Sequence, residues 1–320
     1  MFSFRASVSS RNLQKNTMRP LLVPLVLLVG VVASSTASIF IRYAQNDAAS
    51  IVIAAYRVAI ATVLLSPVVY VRQRRVLRGM ESKQWILALA AGGFLGLHFL
   101  TWITSLEYTT VASSTIFVSS LPVFVALLSP LFLNEKPAPV LYAGMALAIL
   151  GGVIMAISDT CVVKGVQFSC PPWRSLVQGS ALYGDGLAVL GAITGAGYFM
   201  IGRYMRVRLP LLTYIFVVYG MAALIMLVMV AMTGLPILGY SKVTYLWFLL
   251  LAVVPQLIGH SSFNWALGYL PVSYVTIAAI GEPVAATALA WIILHESPTW
   301  LQIVGGALCL AGISYASRKL

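Results

Sequence analysis

The chain has 320 residues, of which 60% are hydrophobic and 9% charged, and its mean hydropathy is +0.95. Globular domains carry about 25% charged residues, so this composition excludes a mainly water-facing surface and requires that most of the exterior meet lipid. The net charge of +12 does not point to nucleic acid, because the basic residues fall in short segments between apolar runs and no basic run alternates with exposed aromatics.

A spanning helix needs about 20 mostly apolar residues. The sequence predicts ten such helices, at 21–41, 52–71, 85–105, 112–133, 139–157, 184–203, 212–232, 244–266, 273–294 and 299–316. Residues 1–20 form a short N-terminal segment rich in Ser and Arg and free of acids, too short for a typical transit peptide. The small residues Ala33–Ala37 would suit a signal-peptide cleavage site, but residues 21–43 have a counterpart in the second half, which argues for a retained helix. Most links are short and join neighbouring helices as antiparallel hairpins. The longest, 158–183, carries Cys161, Cys170 and Pro171-Pro172 and divides the chain into halves 21–157 and 184–320.

Positive charge orients the helices. With a cytoplasmic N-terminus, 15 of the 20 Lys and Arg residues lie inside, four outside (Arg42, Lys164, Arg174, Lys242), and Arg57 lies within a span. The N- and C-termini are therefore expected to be cytoplasmic and the link 158–183 extracytoplasmic. There Cys161 and Cys170 are equally compatible with a disulfide and with two separate thiols. Cys309 lies in an apolar segment and is expected to pack.

The halves repeat at a constant offset of 161. It pairs Pro122 with Pro283, Val123 with Val284, Glu135 with Glu296 and Pro137 with Pro298, and without a gap Gly30 with Gly191, Arg42 with Arg203, Tyr108 with Tyr269 and Gly144 with Gly305. Each half holds five helices. An odd number makes the second half enter the membrane in the opposite direction, an inverted-topology repeat of the kind that surrounds a midplane site and alternates access to it.

The segments "YRVAIATVLLSP" (56–67), "SLEYTTVASSTIFVSSLPVFVALLSPLFLNEKP" (105–137) and "NWALGYLPVSYVTIAAIGEPVAATALAWIILHESP" (264–298) resemble the EamA-type members of the drug/metabolite transporter superfamily over nearly the whole chain after residue 20. The resemblance implies an all-α membrane protein of ten transmembrane helices. It also implies a central cavity lined by the first four helices of each half, with 139–157 and 299–316 at the periphery. It says little about substrate, since the family moves many unrelated metabolites.

Glu282 is the principal candidate site residue. It is the eighth of the 20 residues Val275–Leu294 and their single charge. A charge at that depth costs about 2.5–3.5 kcal/mol on insertion scales, so the carboxyl should face a cavity or a partner, or be neutral. It would bind a cationic or amine group of a substrate or carry a coupling proton; alternatively, protonated, it would bond a carbonyl freed by Pro283 and hold a kink. Leu121 occupies the matching position, so the acid is no part of the repeat scaffold. Pro122 and Pro283 should each bend a helix that continues, as gating pivots or as static kinks.

Arg57 is expected near the outer end of its helix, either snorkelling to headgroups or, as the resemblance implies, acting in the scaffold or a gate, with Asp47 and Glu107 as ion-pair candidates. His98 and Trp102 share one helix face, as do His260 and Asn264 in the matching helix. Opposite insertion puts the first pair in the outer half and the second in the inner half. Tyr56, Ser119 and Ser120 are weaker candidates for substrate contact. Glu135 and Glu296 mark solvated helix ends. Gly144, Gly151, Gly305 and Gly312 allow close helix contact, within the chain or in a homodimer.

The three histidines lack metal-ligand spacing and no Gly-Lys-Ser/Thr phosphate loop is present, so the sequence calls for no cofactor, metal or ATP hydrolysis. The reading is a secondary active transporter of a small organic metabolite, an exporter in a bacterial cell (cytoplasmic) membrane, coupled to protons if Glu282 titrates during transport. Its partners are the substrate and the lipid bilayer, not nucleic acid. The alternatives are an intramembrane enzyme using Glu282 and a histidine, disfavoured by their inferred difference in depth, and a non-transporting membrane scaffold.

Overall fold

The computed structural model describes residues 22–135, 139–160, 162–164, 167–169 and 179–316. Cys161, Cys170 and the segment 1–20 lie outside the described residues, as does the side chain of Cys309. Eight helices are long and apolar enough to cross a membrane: α1 (Leu22–Ala44), α2 (Ser50–Arg72), α3 (Ser82–Ser105), α4 (Val111–Phe132), α6 (Ser180–Arg206), α7 (Leu211–Thr233), α8 (Lys242–Ala266) and α9 (Val272–Leu294). Two further helices, α5 (Pro139–Thr160) and α10 (Trp300–Ala316), pack against each other. Past α5, Val162–Lys164 (β1) pairs antiparallel with Gln167–Ser169 (β2) in a small hairpin.

Large apolar side chains face outward all round the bundle, among them Leu25, Val71, Leu131, Met232, Ile292 and Trp300. In water such a surface would aggregate; in a bilayer it is the solvated face. The interior is built from small residues that let backbones approach. Gly30 of α1 lies against Ser262 and Phe263 of α8, and Gly191 of α6 lies against Thr101 and Trp102 of α3. Gly259 lies against Ser34, and Gly195 against His98. Every one of these contacts maps onto its partner by the offset of 161 read from the sequence.

In both pairs residue numbers rise on one helix as they fall on the other, so α1 and α8, and α3 and α6, run antiparallel. The interface pairs α2·α7, α4·α9 and α5·α10 map onto themselves when the halves exchange. The described helices thus follow an approximate two-fold relation between the two halves.

Two paired helices are interrupted at matching places. The α-helical run of α4 stops at Val118 and restarts at Leu121; that of α9 stops at Ala279 and restarts at Gly281. The cause is local: Pro122 and Pro283 have no N–H for the carbonyl four residues earlier. Each span nonetheless continues past the interruption, over Val111–Phe132 and Val272–Leu294. α8 also departs from α-geometry, with a π-helical stretch over Ala252–His260 that includes Pro255. Such stretches concentrate at functional sites.

Candidate functional site

A cavity of about 50 Å³ lies where the two interruptions face each other. It is lined from both halves by Ser34 of α1, Arg57 of α2, His98 and Trp102 of α3, Val118, Ser119, Leu121 and Pro122 of α4, Phe199 of α6, His260 and Phe263 of α8, and Ala279 and Glu282 of α9. The expected lining by four helices of each half is met except for α7, which contributes no wall residue.

Six sequence-predicted candidates meet here: Glu282, Arg57, His98, Trp102, His260 and Ser119. Glu282 stands two residues past the irregularity at Ile280, in the first turn of Gly281–Leu289 inside the bundle. Its backbone carbonyl accepts a hydrogen bond from Ser35 Oγ at 3.3 Å. Its carboxyl forms no ion pair with Arg57: among the described residues the Lys or Arg to carboxylate pairs within 4.0 Å are Arg42–Glu296 and Arg203–Glu135.

Arg57 is the main correction. It is fully buried rather than snorkelling to headgroups. Its Nε donates to Gln256 Oε1 at 2.8 Å, and its guanidinium lies 3.9 Å from the centroid of Phe99, which gives a buried cation the face of an aromatic ring. Asp47 and Glu107 are not its partners. Asp47 Oδ2 accepts from Ser241 N and Thr244 Oγ1 at 2.9 and 2.7 Å, and Glu107 accepts from Ser50 Oγ.

The two histidines, expected in different halves of the bilayer, stand close together. The rings of His98 and His260 lie 6.2 Å apart. His98 corresponds by the offset to Gly259, so both rings stand next to the two-fold relation, where opposite insertion brings equivalent positions to one level. His98 Nδ1 lies 2.8 Å from the carbonyl of Gly191. A carbonyl only accepts, so Nδ1 carries hydrogen and Nε2 of the neutral ring is left as an acceptor.

Three candidates lie elsewhere, among them Ser120, which lines a neighbouring apolar chamber. Tyr56 donates to the carbonyl of Ile237 at 2.6 Å and stacks on Phe248. Asn264 is fully buried beside the cavity but not in its wall; its amide bonds Tyr198 and Tyr219, which ties α8 to α6 and α7. Glu135 is not a solvated end. It pairs with Arg203 at 2.7 Å and accepts from Val272 N at 3.0 Å. Residues the sequence reading passed over are Ser34, Phe199 and Gln256. Gln256 is a buried amide one residue after Pro255 in an apolar span, and that exceptional polarity was its signal.

Several polar atoms of the cavity residues are buried without a hydrogen-bond partner: Arg57 Nη1 and Nη2, Trp102 Nε1, His260 Nδ1 and Ser34 Oγ. Leaving a buried donor unpaired costs about 1–3 kcal/mol, more when charged, and the residues of this one cavity concentrate that cost. A second, apolar chamber of about 190 Å³ lies against the first and shares Ser119 and Pro122 with it; Ile116, Phe117, Val123, Met145, Ile280 and Pro283 are among its walls. A groove of about 590 Å³ between α9 and α10 is larger but is lined by Val284, Trp291, Ile303 and similar residues, away from the polar group. The chemistry lies in the smallest of the three spaces. Among the described residues no group of three His, Cys, Asp or Glu is placed to hold a metal ion.

The sequence model of the EamA-like transporter family matches residues 21–157 and again 182–318. The chain is 24% identical to the pseudopaline exporter CntI of Pseudomonas aeruginosa over 91% of this chain and 95% of that one. It is 26% identical to a probable terminal-alkyne amino-acid exporter of Streptantibioticus cattleyicolor over 66% of each, and 23% identical to the uncharacterized transporter YdfC of Bacillus subtilis over 71% of this chain and 70% of that one. A solved crystal structure matches with a TM-score of 0.70 at 16% identity, covering 92% of this chain and 96% of its own, a likeness of fold.

Proposed function

Because the chain belongs to the EamA-like transporter family, we propose that it is a secondary active transporter that exports a small organic metabolite by alternating access of two inverted five-helix repeats, residues 21–157 and 184–320. On this reading α5 and α10 cross the bilayer with the other eight helices. The termini are cytoplasmic, the link 158–183 is extracytoplasmic, and the membrane is the cell membrane. The observation that carries the reading is the meeting of Glu282, Arg57 and unpaired polar atoms of Trp102 and His260 in one cavity, at the point where α4 and α9 are both interrupted. Interrupted helices around a midplane site are the transporter solution to binding a polar solute in hydrocarbon. The antiparallel course of α3 against α6 supports the inversion, and the distribution of basic residues supports the orientation. Export is supported by the names of two relatives.

Glu282 is the coupling residue on this reading. Proteoliposomes carrying the protein are expected to exchange members of a metabolite library, faster with a pH gradient imposed. Glu282→Gln should lose the gradient's stimulation. Full gradient-driven transport by the variant would remove the coupling role. The closeness of His98 and His260 in the cavity that Glu282 lines restores a rival, acid–base catalysis within the membrane. Mass spectrometry of the exchanged solute separates the two: transport leaves it chemically unchanged.

A further inference from the structure

Two ion pairs stand at repeat-equivalent places. Arg42 and Arg203 correspond by the offset of 161, and so do Glu135 and Glu296. Each arginine meets the glutamate of the other half, Arg203 with Glu135 and Arg42 with Glu296. Each arginine is also moored in its own half. Arg42 Nη2 donates to the carbonyl of Thr109 at 2.9 Å and Arg203 Nη1 to the carbonyl of Leu267 at 2.8 Å. Both carbonyls lie in the link between the third and fourth helices of a half. Each pair thus ties that link to the far end of the fourth helix of the other half. The pairs lie at opposite ends of the bundle. Thr109, held by Arg42, comes just after the last residue of α3, whereas the ring of Tyr204, next to Arg203, is 5.7 Å from the ammonium of Lys83, the second residue of α3.

The chain turns alike before both glutamates. Asn134 and His295 precede them, correspond by the offset, and are the two non-glycine residues with positive φ among the described residues, at 55° and 59°. Left-handed backbone is uncommon outside glycine, so the matched pair is a built feature of the two helix ends. The contacts made from these ends are unequal. Arg203 Nε donates to Glu135 Oε1 at 2.7 Å, and Glu135 Oε2 accepts from the N–H of Val272, the first residue of α9, at 3.0 Å. At the other end Arg42 Nη2 stands 3.8 Å from Glu296 Oε1, and the two side chains are 28% and 36% exposed against 11% and 21% for Arg203 and Glu135. Arg42 Nε is buried with no partner. It is the counterpart of the Arg203 nitrogen that holds Glu135, so the slack end has in place the donor that the closed end uses. A purely local cause is the rival account: Ser129 Oγ holds the carbonyl of Glu135 at 3.2 Å, and Ala290, its counterpart, opens a π-helical last turn of α9. On that account the Arg42 end never closes.

We infer that the two pairs are opposing latches that close alternately as the halves rock, the Arg203–Glu135 end being shut and the Arg42–Glu296 end slack in this structure. This rests on the alternating-access reading above and adds which residues hold each end closed. Two inverted halves can exchange conformations. Because the offset maps one pair onto the other, that exchange carries Glu296 onto Arg42 Nε as it withdraws Glu135 from Arg203.

The test is labelling of Ser119→Cys, in the cavity wall, in an otherwise cysteine-free chain, with an impermeant maleimide applied to right-side-out and inside-out membrane vesicles. Gly79→Cys, in the link before α3, marks the Arg203 side. Glu135→Gln keeps an oxygen for Val272 N and removes only the charge, so it should fold. It should raise the ratio of labelling from the Arg203 side to labelling from the Arg42 side roughly two- to fivefold, the scale of a partly exposed ion pair. Glu296→Gln should lower that ratio by a similar factor. The two substitutions together should bring the ratio back toward its starting value, because opposing latches cancel where two general losses of packing would add. A shift in the same direction for both single variants, or no shift for Glu296→Gln, overturns the inference. Labelling from both sides that no variant alters overturns the latches and leaves alternating access standing. Labelling confined to one side in the parent and every variant, with no solute exchanged by proteoliposomes, overturns the transporter reading as well.

Discussion

Arg57 stands at the eighth position of the 23-residue helix α2, and its depth is tolerable only because of what surrounds it. An uncompensated buried charge is strongly destabilising. The carboxamide of Gln256 and the face of Phe99 meet part of that need, and Nη1 and Nη2 are buried without a hydrogen-bond partner. Neighbouring Asn264 has a different task, since its amide is spent on Tyr198 and Tyr219. The two residues therefore predict opposite outcomes. Asn264→Leu breaks a buried network and should cost stability on the order of 1–3 kcal/mol, read as a lower melting temperature, while leaving exchange by the folded fraction unchanged. Gln256→Leu should cost a similar amount and also slow exchange, because it frees the guanidinium to turn. Outside the membrane, Asp47 is fastened to Ser241 and Thr244, and the hydrogen bond from Thr244 holds its carboxyl below the ordinary value of 3.8. A carboxyl whose folded value is depressed stabilises above its unfolded value and loses that contribution as pH falls through the folded one. The melting-temperature advantage of the wild type over Asp47→Asn should be constant near neutral pH and shrink below about pH 4; an advantage that stays flat into acid would contradict this.

At the scale of elements, the α1·α8 and α3·α6 interfaces are one design used twice. A Cβ on Gly259 would lie 3.0 Å from Ser34 N and 3.2 Å from Ser34 Cα, against backbone that has no rotamer to yield. Gly186 of α6, by contrast, has nothing within 4 Å of where its Cβ would stand. Gly259→Ala should lower the melting temperature through overpacking of about 1–3 kcal/mol, and Gly186→Ala should leave it unchanged or raise it slightly. Equal effects would mean that helix propensity, not close approach, decides these positions. The elements were largely legible because apolar runs, short links and the offset of 161 are properties of the linear chain. The failures were failures of depth. Counting from a predicted helix end put Arg57 near the outer end of its helix and did not show that His98 and His260 meet, because residue count measures position along a helix and not which residues meet across it. Pro122 and Pro283 were seen, but whether a proline bends or breaks a helix depends on neighbours the sequence does not display. Arg203–Glu135 was missed for the same reason: both residues are plain in the sequence, and only the inversion brings the end of α4 to the end of α6.

For the molecule as a whole, two-fold relatedness makes the orientation in the bilayer the one large fact that packing does not decide. An inverted repeat packs identically whichever way it is inserted, so the choice falls to charges in the links. The link between α2 and α3 carries Arg74, Arg75 and Arg78, all three within the short helix Arg74–Arg78 that follows Gln73 and has no buried residue. The links between α1 and α2 and between α7 and α8 are joined by the bonds of Asp47 to Ser241 and Thr244, so they lie on one face of the bundle, opposite the first. On the proposed orientation, in which arginine-rich links stay on the cytoplasmic side, the Asp47 face is outside. In intact cells, in a cysteine-free background, Asn46→Cys and Gly239→Cys should both react with a membrane-impermeant maleimide, and Gly79→Cys should react only after permeabilisation. Reaction of Asn46→Cys and Gly239→Cys on opposite sides would contradict the fold itself, since one carboxylate holds those two links together. Reaction of Gly79→Cys from outside would leave the fold and reverse the orientation. It would then assign the closed Arg203–Glu135 end, which lies on the arginine-rich side of the bundle, to the exterior.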